Sequence, residues 1–109
     1  MSQSTIIEKL KEDLRRVDEM LARLEAEREE INKGYMVLLE EENKIVEEMR
    51  KCRDEYKYMR LEARLNIVSR QRKEVEGKKT EIERKIRGCA EERSKILMRI
   101  EYLKPKQQE

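Results

Sequence analysis

From Ile7 to Leu103 apolar residues return at alternating three- and four-residue steps, and this repeat constrains the fold more than any other feature. Such spacing lines one side of a helix with a narrow apolar seam that a second helix must cover. In the first half the a positions hold Ile7, Leu14, Leu21, Tyr35, Met49, Tyr56 and Ala63. The d positions hold Leu10, Val17, Leu24, Ile31, Leu38, Ile45, Cys52 and Met59. In the second half Val68, Val75, Ile82, Cys89, Ile96 and Leu103 fall at d, with Leu65, Ile86 and Ile100 at a. The two runs differ in phase by two residues, which places a register change within 59–68.

Helix signals bracket the repeat. Thr5 followed by Glu8 reads as a capping box, and Pro105 cannot continue a helix. The expected organisation is an N-terminal extension at 1–4, one coiled-coil helix over 5–103, and a C-terminal tail at 104–109. A helix of that length would be a rod of about 150 Å. Composition supports it: 48% of residues are charged, aromatics are 4% and all Tyr, and there is no Phe or Trp to fill a globular core. Gly34 and Gly77 offer an alternative, a helical hairpin or three-helix bundle with turns near those positions, the second restarting at Thr80 and Glu83. The heptad keeps its phase through both glycines, which favours continuity.

Charge bears on how the helix is paired. Residues 1–49 carry 8 Lys and Arg against 14 Asp and Glu, net −6, whereas residues 50–109 carry 19 against 11, net +8. A parallel homodimer would set Arg28, Glu42, Arg72, Lys79 and Arg93 against their own copies. An antiparallel pair lays the acidic half on the basic half and matches Ile7 with Leu103, Leu10 with Ile100, Leu14 with Ile96, Leu21 with Cys89, Leu24 with Ile86, Tyr35 with Val75 and Ile45 with Leu65. It also sets Val17, Ile31 and Leu38 against Arg93, Lys79 and Arg72, whose aliphatic stems can lie across them. The expected fold is therefore all-α, an elongated antiparallel coiled-coil dimer with Leu10, Leu14, Val17, Leu21, Leu24, Ile31, Leu38, Ile45, Val75, Ile82, Ile86, Ile96, Ile100 and Leu103 in the dimer core. Half of an obligate heterodimer is an alternative, since charges at a also specify partner choice.

Catalytic motifs are sparse. The chain has no His, so histidine-dependent triads and most zinc enzyme sites are excluded. Cys52 and Cys89 both fall on the seam and read as small core hydrophobes in a reducing compartment. "EGKKT" resembles the end of a phosphate-binding loop but lacks its earlier Gly and preceding strand. Acidic runs such as Glu40, Glu41 and Glu42 read as a solvated face. No catalytic residue, metal ligand, cofactor or small-molecule substrate is expected. With no apolar run of membrane-spanning length and no signal-peptide pattern, the expected location is intracellular, in cytoplasm or nucleus.

What remains is surface. Met36, Leu39 and Val46 lie beside the seam and lead, on one continuous helix, into a basic stripe of Arg50, Arg53, Lys57, Arg60 and Arg64. Together they form a candidate face for a partner helix bearing apolar and acidic residues. A second apolar group, Ile96, Leu97 and Met98, lies near the end. The expected function is a non-enzymatic dimerisation and scaffold module that spaces and docks proteins in a cytoskeletal, cell-division or trafficking type of assembly. The alternative is a basic helix that binds nucleic acid or an anionic membrane.

Overall fold

The computed structural model describes residues 2–105. Two helices account for nearly all of them: α1, Gln3–Lys51, and α2, Glu55–Leu103. Cys52, Arg53 and Asp54 join them as the turn of a helical hairpin. The contacts sort into two units, one made of Met1–Ala26 with Glu83–Glu109 and the other of Glu27–Ile82.

α1 starts one turn earlier than the Thr5 signal implied. The Ser2 hydroxyl accepts from the Thr5 backbone N–H at 3.2 Å, and Ile6 N–H donates to the Ser2 carbonyl at 3.1 Å, so Ser2 is the cap and Thr5 belongs to the first turn. At the other end Arg50 and Lys51 stand in the last turn, where the helix dipole favours cations. α2 ends at Leu103, as Pro105 requires.

The single helix expected over 5–103 is broken at Cys52–Asp54, and Asp54 shows why. Its Oδ1 accepts from the N–H of Tyr56 at 2.9 Å and of Lys57 at 3.3 Å, and its carbonyl accepts the first bond of α2, from Tyr58, at 2.9 Å. Those donors would otherwise be orphaned at a helix start. Across the turn, Cys52 N–H donates to Met49 O at 3.2 Å, and the Cys52 thiol donates to the Asp54 carbonyl at 3.2 Å. No residue of the described chain has a positive φ, so this turn needs no glycine.

Geometry gives a second reason for the break. Two residues of phase difference rotate the seam by about 200° around a continuous helix, so the apolar stripe of one half would face away from that of the other. A turn resets the phase and lets each seam meet the other. The register change therefore sits in the turn rather than within 59–68. Leu61 already keeps the second phase and is buried, whereas Tyr56 and Met59, which continue the first, are 71% and 63% exposed. Ala63 is exposed as well.

Of the alternative, the helical hairpin is found, but Gly34 and Gly77 lie inside helices, and among the described residues there is no turn at either and no three-helix bundle. Thr80, read as a second cap, instead donates its hydroxyl back to the Glu76 carbonyl at 3.1 Å, as a threonine in mid-helix does.

Within the first unit Leu10, Val17, Ile96 and Ile100 are buried together, flanked by Ile6, Ile7, Leu14, Leu21, Cys89 and Leu103. In the second unit Ile45, Leu61 and Val68 are buried, flanked by Leu38, Met49, Cys52 and Leu65. Leu24 and Ile82 are also buried, and Ile31, Val75 and Ile86 half-buried. The residues assigned to a dimer core thus pack within one chain, in each unit by itself.

The charges at a positions are accommodated there too. Arg72 Nε donates to Glu42 Oε2 at 2.7 Å, and Ser69 Oγ donates to the same oxygen at 2.9 Å. Arg93 Nε meets Asp18 at 2.6 Å, and Lys79 lies 5.0 Å from the centre of the Tyr35 ring. The sequence alignment had paired these three cations with Leu38, Val17 and Ile31. The structure gives each a polar or aromatic partner, because residues one step off the layer also come within reach of long side chains.

Candidate docking surface

Heptad geometry divides the surface of the second unit. With a and d in the seam, e and g border it and b and c lie farther out. Arg64 donates to Glu41 at 2.5 Å, and both residues are g, so this ion pair closes one flank. The opposite flank is formed by the e positions of both helices. Ser69, an e residue, reaches Glu42 from that side.

On α1 that second flank runs, along alternating e and b positions, through Asn32, Met36, Leu39, Asn43 and Val46. None of the five is charged, in a chain where 48% of residues are. Met36 is 52% and Val46 43% exposed, and Leu39 is half-buried. On α2 the same flank carries exposed Met59 and Asn66, with Glu62 between them. All three asparagines of the protein, Asn32, Asn43 and Asn66, lie on this face. The Asn32 amide oxygen is sealed from water and has no hydrogen-bond donor. Depletion of charge around apolar side chains and amides is the composition of an interface centre, not of a solvated helix.

The basic stripe is arranged differently from its sequence reading. The turn divides it, leaving Arg50 on α1, Arg53 in the turn, and Lys57, Arg60 and Arg64 on α2, so it is not one helical face. Arg50 makes a long contact of 3.6 Å with Glu47, Arg60 lies 5.3 Å from the Tyr56 ring centre, and Arg64 is bonded to Glu41. Glu47, Glu48, Asp54 and Glu55 stand among these cations. The apolar part of the expected face, Met36, Leu39 and Val46, stays together, while the basic part disperses around the turn.

The first unit exposes apolar side chains too, among them Leu97, Met98 and Tyr102. A groove of about 480 Å³ opens over Leu10, Val17 and Ile96, but Asp13, Arg16, Glu92, Lys95 and Arg99 rim it with charge of both signs. Of the apolar group expected near the end, Ile96 is buried in the seam, and Leu97 and Met98 are exposed.

Glu42 and Arg72 are coupled across the two helices, and their side chains are only 17% and 19% exposed. The Arg72 hydrogen bond holds the Glu42 carboxyl below its ordinary 4.5 against the opposing effect of desolvation, and the Ser69 hydroxyl adds to the lowering. Arg72 is raised in turn, chiefly by the same hydrogen bond. This pair orders the seam beside the uncharged flank. Among the described residues no group of three or more Cys, Asp and Glu is placed to hold a metal ion, and no helix is long and apolar enough to cross a membrane.

Sequence reasoning did not identify Leu61, the Glu42–Arg72–Ser69 group or the Asp54 cap. The signal for Leu61 and the Asp54 cap is that the second seam phase can be traced back through Leu61 to Tyr58, just past the turn. Compared with protein-family models, curated proteins and solved structures, the chain matches none of them.

Proposed function

We propose that the protein is a non-enzymatic helical module that associates with other polypeptide chains through the uncharged flank of α1. The observation that carries this reading is the run Asn32, Met36, Leu39, Asn43 and Val46, which stays exposed or half-exposed after the hairpin has covered its own seam. A seam filled from within leaves no a and d surface for the antiparallel dimer expected from the heptads, so association uses a flank instead. Helical faces of this kind suit spacing and docking in a cytoskeletal, cell-division or trafficking type of assembly. Cytoplasm or nucleus suits Cys52 and Cys89, which are free and half-buried. The competing reading, anionic membrane or nucleic acid on the basic residues near the turn, is weakened by the four carboxylates among them.

A photo-crosslinking amino acid at position 36 or 46, with position 33 on the outer side of α1 as control, tests the proposal in cells that express the chain. Products carrying the mass of an added polypeptide at 36 and 46, but not at 33, are expected. Equal labelling at all three, or no polypeptide product, contradicts it.

A further inference from the structure

Resting on that docking reading, we propose that the occupant of the α1 flank is a second copy of the chain, packed antiparallel across a two-fold axis near Leu39.

The charges at the ends of the uncharged run point to this occupant. Glu29 precedes it and Arg50 follows it, and both are b positions on the same side of α1. The midpoint between them falls between Leu39 and Glu40. A second α1 laid antiparallel about that midpoint brings Glu29 of each copy to Arg50 of the other, so the two-fold makes the ion pair twice. A parallel copy would oppose Glu29 to Glu29 and Arg50 to Arg50. Neither residue is committed within the hairpin: Glu29 has no ion pair among the described residues, and Arg50 has only the exposed 3.6 Å contact with Glu47.

The middle of the run is self-complementary as well. The same axis places Met36 beside the partner copy's amide at 43, and Leu39 within one residue of its own equivalent. A two-fold interface uses one patch twice and therefore needs a patch that tolerates itself. With few apolar side chains per copy, the contact is smaller than an obligate interface and dissociates on dilution.

Light scattering and sedimentation equilibrium on the full chain at low ionic strength provide the test. The wild type is expected to rise with concentration toward twice its 13.3 kDa mass. Glu29→Arg and Arg50→Glu should each weaken association by about tenfold or more, and the double variant should recover it, as paired interfacial charges do. Lys44→Glu, on the other flank, should change nothing, and circular dichroism should show equal helicity throughout. A monomer at every concentration, a dimer indifferent to both swaps, or a double variant that fails to recover overturns the proposal. Crosslinks from position 36 to other polypeptides alone would overturn the second copy and leave the docking reading standing; no polypeptide crosslink at all would overturn the docking reading itself.

Discussion

Asp54 is the residue on which the chain's reversal depends, since its carboxylate satisfies two backbone donors at the start of α2. Asp54→Ala should destabilise the fold by about 1 kcal/mol and Asp54→Asn by much less, because asparagine caps nearly as well; urea unfolding midpoints check both. Glu42 makes a pH-dependent contribution. Its folded carboxyl titrates below its ordinary 4.5, so the stabilisation is complete above that value and is lost as pH falls through the lowered one. Melting of the wild type and of Glu42→Gln from about pH 6 to about pH 3 should show the wild-type advantage shrinking with acid. A constant difference would mean that the Arg72 contact is indifferent to the carboxylate's charge. At this scale the seam was legible, though not its partner: all fourteen residues assigned to a dimer core are buried or half-buried within the single chain. The caps were less so, because Ser, Thr and Asp near a helix start are chemically interchangeable signals. Ser2 and Asp54 differ from Thr5 only in where the neighbouring backbone ends.

Both helices are 49 residues long, and glycine does not interrupt either. A Cβ added at Gly34 or Gly77 would meet nothing within 4 Å. Gly34→Ala and Gly77→Ala should therefore each raise stability by up to about 1 kcal/mol, the difference in helix propensity, with helicity unchanged. A loss at either position would indicate a turn there. The elements were legible from the heptad because periodicity reports which residues face a neighbour. It does not report whether that neighbour belongs to the same chain. The decisive clue was the phase offset between Cys52 and Leu61, and a change of winding and a turn produce the same offset in sequence. The flank was half legible. Met36, Leu39 and Val46 were identified as lying off the seam, but joining them to Arg53, Lys57, Arg60 and Arg64 assumed a helix that the turn divides.

At the scale of the chain, acidic and basic residues pair within the hairpin. α1 carries 10 Lys and Arg against 14 Asp and Glu, net −4, and α2 carries 14 against 9, net +5. The acidic helix lies along the basic one in each unit, with Asp18–Arg93 in the first and Glu41–Arg64 and Glu42–Arg72 in the second. Intrachain pairing has the advantage of a three-residue connection, since closing a short loop costs far less entropy than bringing two chains together. The central claim, that one chain folds back on itself, is tested most directly by a distance within a single chain. Spin labels at Glu19→Cys and Glu91→Cys, in a Cys52→Ser, Cys89→Ser background and diluted with unlabelled protein, report it. Packed antiparallel helices predict a separation of about 20–30 Å including the label arms; a continuous helix, alone or exchanged between two chains, would separate the labels by about 110 Å and contradict the account.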